Sequence, residues 1–265
     1  MAELFDSGYA YRTINAYRSA ISAYHCELEG KPIGQHKQVC SLLKGVFTKK
    51  PPQPRYAYTW DVQVVLDFIK NKWGNSMALS DKDLTFKLVT MLALTSASRA
   101  CTIHCLDIRF MAKHAHYIQF KFGKLHKSWK TGKSSPMVTY FAYEADEELC
   151  VKTTIEIYLN RTEQWRHNQK NQLLLSYVNP HKEVCSSTIS GWIKKVLSLA
   201  GIDTNVFKGH SSRSAASSRA ELAGASISEI LSMGSWSNES VWQKYYNKPV
   251  LTPEESFQKK LLSNN

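Results

Sequence analysis

Residues 208–219 read KGHSSRSAASSR, and residues 236–249 read WSNESVWQKYYNKP. In the first stretch His210 and Arg213 stand three apart, a spacing that brings two side chains to one face of a helical turn. In the second, Trp236 precedes a tyrosine pair, Tyr245 and Tyr246, by nine and ten residues. Everything from 210 onward has the rhythm of short helices, an ordinary helical tail apart from these groups. Phosphodiester chemistry needs cations on the non-bridging oxygens, an activated nucleophile and an acid for the leaving oxygen. Two arginines can clamp one phosphate with forked hydrogen bonds that lysine does not reproduce. Arg99, at the end of an apolar helix in LTSASRACTIHCLD (94–107), is the second candidate. Each group taken singly is unremarkable: a lone arginine is usually solvated, a lone H-x-x-R incidental, and Trp236 or either tyrosine a packing aromatic.

Working toward the N-terminus, Ser187 is a candidate N-cap for a helix over 187–200, with Gly201 just past its end, and another helix covers about 147–161. Three short β-rich runs lie upstream, LDIRF (106–110), YIQFK (117–121) and MVTYF (137–141). Turn and lysine-rich segments separate them, which predicts a small antiparallel sheet. The S-x-x-D sequence at Ser80–Asp83 is a capping signal for a helix that turns Leu84, Leu88, Met91, Leu92 and Thr95 to the core. Val62, Val65, Leu66, Ile69 and Trp73 mark a further amphipathic helix. The expected fold class is therefore mainly α with a small antiparallel β-sheet (α+β).

Before that helix, KKPPQPRYAY (49–58) packs three prolines and three cations into ten residues. It reads as a basic linker. The expected organisation is a helical unit over 1–48, the linker over 49–58 and a larger domain over 59–265. In the first unit Ile14, Tyr17, Ile21 and Tyr24 share a helical face, with Arg12 and Arg18 among them. Some fifty residues make a poor core, and the chain opens almost at once into a helix, so this unit is expected to be incomplete at its N-terminus.

Composition bounds the function. The 265 residues carry 34 Lys plus Arg against 22 Asp plus Glu, a formal charge of +12. A surplus of that size favours a polyanionic partner, since each cation set on a phosphate releases condensed counterions. No run of eighteen apolar residues and no signal-peptide pattern is present, which points to a soluble intracellular protein without a membrane partner. Six cysteines lack paired C-x-x-C spacing and suit reduced thiols. Cys101, His104 and Cys105 have ligand chemistry, but C-x-x-H-C without a second cluster is a poor zinc signature. No metal site and no cofactor is expected.

The order Arg, lysine-bearing hairpin, H-x-x-R, Trp and then Tyr resembles the tyrosine recombinase (phage-integrase) family, and the resemblance covers nearly the whole chain. DSGYAYRTINAYRSAISAYH (6–25), LTSASRA (94–100) and YYNKP (245–249) are most similar to the recombinases of DIRS-like retrotransposons. The resemblance implies a catalytic domain preceded by a helical core-binding (SAM-like) domain. By position, Arg99 and Arg213 match the two family arginines and His210 the histidine beside the second. Trp236 holds the family's His-or-Trp position. Lys127 in GKLHKSWKTGK (123–133) matches the turn lysine, with Lys124 and Lys130 as further candidates. A spacing of nine selects Tyr245 as nucleophile, whereas the Phe-Tyr habit of DIRS-like relatives selects Tyr246. Neighbouring helical residues point about 100° apart, so one tyrosine faces the phosphate and the other is expected to pack into the core. Thr102 departs from the pattern, standing where the family usually carries an acidic residue.

The resemblance implies site-specific DNA recombination or integration for a mobile genetic element, through a 3′-phosphotyrosyl intermediate and without metal or ATP. A phenol of pKa about 10 is a weak nucleophile at neutral pH, so the cationic pocket would also favour its ionisation. Duplex DNA is the implied partner, gripped by Arg12, Arg18, Lys49, Lys50, Arg55 and Lys130, with self-association from dimer to tetramer on DNA. The compartment would be the nucleus in a eukaryote and the cytoplasm otherwise. Alternatives are a DNA-binding relic that no longer cleaves, for which Thr102 argues, a type IB topoisomerase-like enzyme, and a plain RNA-binding or structural basic protein.

Overall fold

In the computed structural model of this chain, which describes residues 1–52, 56–123, 136–166, 170–250, 258 and 261–262, two units form, Met1–Arg55 and Tyr56–Asn265. The first holds α1 (Ala2–Asp6), α2 (Tyr11–Tyr24) and α3 (Lys37–Lys49). Its small core is Ile14, Leu43 and Val46, backed by Met1, Leu4, Phe5 and Tyr11. Of the apolar face read on α2, Ile14 alone is buried. Tyr17 and Ile21 are about half exposed and Tyr24 is almost wholly so. The physical reason is size: three short helices have too little surface to cover a four-turn stripe. Helix α3 runs through Lys49, and the Lys50 ammonium donates to Gly8 O at 2.9 Å.

The second unit is mostly helical and carries one three-stranded antiparallel sheet. Helix α4 (Val62–Trp73) buries Val62, Val65, Ile69 and Trp73 and starts at Asp61, whose side chain accepts from Gln63 N–H. Helix α5 (Asp81–Thr95) starts at Ser80, whose hydroxyl accepts from the Asp83 N–H at 3.1 Å. Every residue from Leu84 to Leu94 is buried, so the expected one-sided pattern understates this helix. Thr95 departs the other way. At the last position of α5 it is exposed and its hydroxyl bonds back to Met91 O at 2.7 Å. A charged side chain in the centre of α5 is costly unless it is hydrogen-bonded. Lys87, fully buried, donates to Trp73 O and Gly74 O at 2.7 Å each and so closes the C-terminal end of α4.

After α6 (Ala100–His104) come β1 (Met111–Lys113), β2 (Tyr117–Lys121) and β3 (Met137–Phe141), in the order β1-β2-β3. Met111 pairs with Phe120, and Ile118 with Tyr140. Ile118, Phe120, Val138 and Tyr140 point into the core, the alternation that a one-sided sheet requires. The first strand is not LDIRF. There the Asp107 carboxylate accepts from Arg109 N–H at 2.9 Å and winds Ile108–Phe110 into a 3-10 turn, which delays the strand to Met111. A local side-chain bond has outcompeted β propensity.

Helices α7 (Val151–Thr162) and α8 (Ser186–Leu199) pack beside α5, as does α9 (Ser211–Leu222); α4 lies against it as well, which leaves the span from Leu84 to Leu94 no face for water. The N-cap position of α8 is Cys185 and not Ser187, and the Cys185 side chain makes no capping hydrogen bond. The Cys185 thiol lies 3.0 Å from the Ser187 hydroxyl and 3.3 Å from that of Thr188. Gly201, just past α8, takes φ +84°, a left-handed conformation that glycine adopts without strain. Two short helices follow, α10 (Ile227–Met233), opened by a Ser226–Glu229 capping box, and α11 (Glu239–Tyr245). Among the described residues no helix is long and apolar enough to cross a membrane.

Candidate active site

Helix α9 begins at a close approach. A Cβ on Gly209 would lie 2.5 Å from Ser190 O of α8, so glycine is what lets the start of α9 sit against that backbone. Trp60 fixes the same end, its indole N–H donating to Ser211 Oγ at 2.8 Å. One turn in, Arg213 is 1% exposed. Its Nη1 donates to Ala97 O and its Nη2 to Gly234 O, both at 2.6 Å. The guanidinium carbon stands 3.7 Å from the Trp236 ring centroid and 5.1 Å from that of Tyr246. Ala97 has φ +45°, a left-handed conformation that costs a residue with a Cβ roughly 1–2 kcal/mol. That turn presents its carbonyl to Arg213 and leads directly into Arg99, the N-cap of α6.

The electrostatics of this corner are unusual. A buried guanidinium is ordinarily paired with a carboxylate, yet Arg213 makes no ion pair among the described residues. Burial pushes its pKa below the ordinary guanidinium range, and the nearby Arg99 cation pushes it further the same way. The Tyr246 hydroxyl and the Cys101 thiol act in the opposite sense. Two buried donors have no hydrogen-bond partner here among the described residues, Arg213 Nε and Trp236 Nε1. Arg99 and Arg213 thus lie near enough to repel, and among the described residues no carboxylate pairs with Arg213, an arrangement whose chemistry suits an anion.

The tyrosines divide. Tyr246 is partly buried, its ring 5.0 Å from that of Trp236 and 6.1 Å from that of His210. Tyr245 is 50% exposed and lies beside its neighbour Lys244. Of the pair it is Tyr246 that packs, against the cluster of Ala97, Ile230, Trp236 and Trp242, while Tyr245 is the exposed one. Tyr245, in the last turn of α11, faces outward because Trp242, fully buried, takes the inward position of that helix. Trp242 joins Ala97, Ile230 and Trp236 in a small apolar cluster that seats α10 and α11 against α9. Gly234 makes room for it, since a Cβ there would come 1.8 Å from the Trp236 ring.

Arg99, His210, Arg213, Trp236 and Tyr246 thus meet in one corner, and Tyr245 stands outside it. Lys127, Lys124 and Lys130 lie outside the described residues, as does Arg55. Arg12 is exposed on α2, while Arg18 is partly buried with Nη1 on Gly34 O at 3.3 Å. Lys49 and Lys50 are exposed at the end of α3. Thr102 is buried one turn after Arg99, in α6. Among the described residues no group of three or more His, Cys, Asp or Glu side chains could hold a metal ion. Sequence reasoning missed the carbonyls of Ala97 and Gly234, which aim Arg213, because a backbone acceptor has no residue-type signature. For Gly234 a signal did exist, a glycine two residues before a tryptophan of interest.

The model of the phage integrase family matches residues 61–250. Among solved structures, the fold is similar to that of XerA recombinase, at 14% identity over 97% of this chain and 84% of that one, with a TM-score of 0.53. It is also similar to the XerH site-specific recombinase in a post-cleavage complex with a palindromic difH substrate, at 9% identity, 98% and 69% coverage and a TM-score of 0.61. A third is the Tn1549 transposon integrase in complex with transposon right-end DNA, at 13% identity, 99% and 83% coverage and a TM-score of 0.59. No curated protein sequence matches the chain.

Proposed function

The chain belongs to the phage integrase family, and from that premise we propose that it is a tyrosine recombinase that cuts and rejoins DNA strands, with Tyr246 as nucleophile. The observation that carries this reading is the Arg213 corner. Leaving a buried charge without a counter-ion costs several kcal/mol, so a guanidinium kept in that state beside a second one is suited to a phosphate that arrives with the substrate. The arrangement supplies each need of the reaction. Arg213, through its idle Nε, and Arg99 take the non-bridging oxygens, where charge grows in the transition state. The Trp236 indole N–H is a further donor for the same oxygens. The Tyr246 oxygen attacks phosphorus, the bond to the 5′-oxygen breaks, and a 3′-phosphotyrosyl ester remains. His210, across the Tyr246 ring, takes part in the proton traffic, and Lys127 would deliver the proton to the departing 5′-oxygen. A 5′-hydroxyl from another strand then reverses the step, so bond energy is conserved.

Duplex DNA is the proposed substrate, a reading supported by the Tn1549 integrase in complex with transposon right-end DNA, and the exposed cations of the chain would lie on its backbone. Exchange between two duplexes requires several strand cuts, so more than one protomer would assemble on DNA. The wording of residues 6–25, 94–100 and 245–249 supports a DIRS-like element as the setting. A second reading, a DNA-binding relic, rests on Thr102 at the position where the family usually places an acid. One experiment separates the two. On a nicked duplex whose short 5′-fragment diffuses away after cleavage, the recombinase accumulates a covalent adduct whose peptide map ends at Tyr246. Tyr246→Phe forms none and Tyr245→Phe forms it at the wild-type rate. Wild-type protein that binds this duplex but never traps it is a relic.

A further inference from the structure

The serines of KGHSSRSAASSR have no part in the reaction just described, yet two of them touch the tyrosine. Helix α11 ends at Tyr245, and Tyr246 leaves it at φ −124°, ψ −31°. A carbonyl at such an end has no donor from a following turn. The Tyr246 carbonyl finds two on α9: Ser214 Oγ donates to it at 2.5 Å and Ser218 Oγ at 3.1 Å. They stand four apart, on one face of α9, and are 2% and 1% exposed. Ser218 Oγ also accepts from the Lys248 N–H at 2.9 Å, and Glu221, a turn further on, accepts from the Asn247 side chain at 3.1 Å. A single face of α9 thus grips the main chain from 246 to 248.

We propose that Ser214 and Ser218 are positioning residues that set the reach of the attacking tyrosine, an inference that rests on the recombinase reading of this site. The geometry gives the reason. Ser214 follows Arg213 directly, so the phosphate clamp and the anchor of the nucleophile sit on adjacent residues of one rigid helix. The distance from guanidinium to phenol is then set by α9 and not by the short α11, which is otherwise seated by a small apolar cluster. Displacing a reacting atom by about 1 Å costs on the order of 10²-fold in rate. Each serine gives one bond to the carbonyl, so either alone holds it partly and the pair holds it in register.

The test uses the full chain with Ser214→Ala, Ser218→Ala, the double variant and Ser218→Thr. At saturating protein on the nicked duplex, the double variant is expected to form adduct about 10²-fold more slowly, with its affinity for the same duplex unchanged. The single variants, which keep one donor and guard against a folding failure, fall between, and Ser218→Thr, which keeps the hydroxyl, stays near wild type. With a 5′-bridging phosphorothiolate, whose sulfur leaves without needing a proton, the double variant's deficit persists, because the nucleophile is still misplaced. Trypsin cuts after Lys244 faster in the double variant than in wild type, a readout that needs no cleavage of DNA. A double variant with the wild-type adduct rate overturns the proposal, as does unchanged protection at Lys244. Rescue by the phosphorothiolate also overturns it, because the serines would then serve the leaving group. If wild type itself forms no adduct, the recombinase reading fails while the trypsin measurement still decides whether the serines hold the tyrosine.

Discussion

Replacing Arg213 with lysine keeps the charge and removes the fork, which makes it the sharpest perturbation of the site. In the structure both Nη atoms are committed, at 2.6 Å each, to Ala97 O and Gly234 O, while Nε has no partner among the described residues. An ammonium has three donors on one nitrogen and cannot bridge two carbonyls, lie flat on Trp236 and still address a phosphate. Two losses follow. A buried carbonyl left without its donor costs about 1–3 kcal/mol, so Arg213→Lys should melt earlier, by an amount that thermal denaturation reads directly. Losing one donor to the transition-state oxygens costs about 10²–10³ in rate, measured as single-turnover adduct formation on the nicked duplex well below the melting transition. Binding of that duplex should change little, because one phosphate contact among many contributes a small share. The reasoning is refuted if Arg213→Lys cleaves at the wild-type rate. It is equally refuted if binding and cleavage fall in the same proportion, since Arg213 would then be an ordinary DNA contact.

Gly234 has unstrained φ −81°, ψ 0°, so Gly234→Ala tests sterics alone: with a Cβ 1.8 Å from the Trp236 ring, it should lose about 1–3 kcal/mol and shift tryptophan fluorescence, and an unaltered spectrum would contradict the packing. DNA affinity should fall by roughly 10³–10⁵ between about 50 and 200 mM salt if 6–10 phosphates are neutralised, and a flat titration would remove the electrostatic account of the +12 surplus. Burial pushes the Lys87 ammonium down to about 8, against smaller opposing effects of Glu148 and Asp146. The unfolded chain therefore holds the extra proton between about pH 8 and the ordinary lysine value near 10.4, and stability from this group rises with pH across that window. Denaturant titrations of wild type and Lys87→Met should diverge there and run parallel below pH 7; parallel curves throughout would mean that Lys87 is not desolvated.

Where the sequence reading and the structure part company, a local polar group or a size limit is responsible. Asp107 winds LDIRF into a turn before a strand can begin. The stripe on α2 was legible as a helix face, but what would cover it was not, and Tyr24 stands in solvent. Helix α5 reads as one-sided because threonines interrupt its apolar run, yet Thr85 and Thr90 are as buried as its leucines. Thr85 satisfies its hydroxyl on Asp81 O at 2.6 Å, a helix-internal bond that lets a polar residue face a core.

The sequence by itself determined what nearest neighbours and periodicity control: the cap at Ser80, the inward face of α4, the mostly helical class with its small sheet, and the order of Arg99, His210, Arg213, Trp236 and the tyrosine pair. These follow from residue type and spacing, which are local quantities. Only the tertiary structure decided that Arg213 is buried without a carboxylate partner among the described residues, that Tyr246 and not Tyr245 stands over it, and that Ser214 and Ser218 hold the tyrosine's carbonyl. The partners that decide these points are backbone carbonyls far along the chain, Ala97 at 116 residues from Arg213 and Tyr246 at 32 from Ser214. Every residue type carries the same carbonyl, so nothing in the sequence marks which one an arginine or a serine will meet until α9 packs against the end of α5 and against the chain that leaves α11.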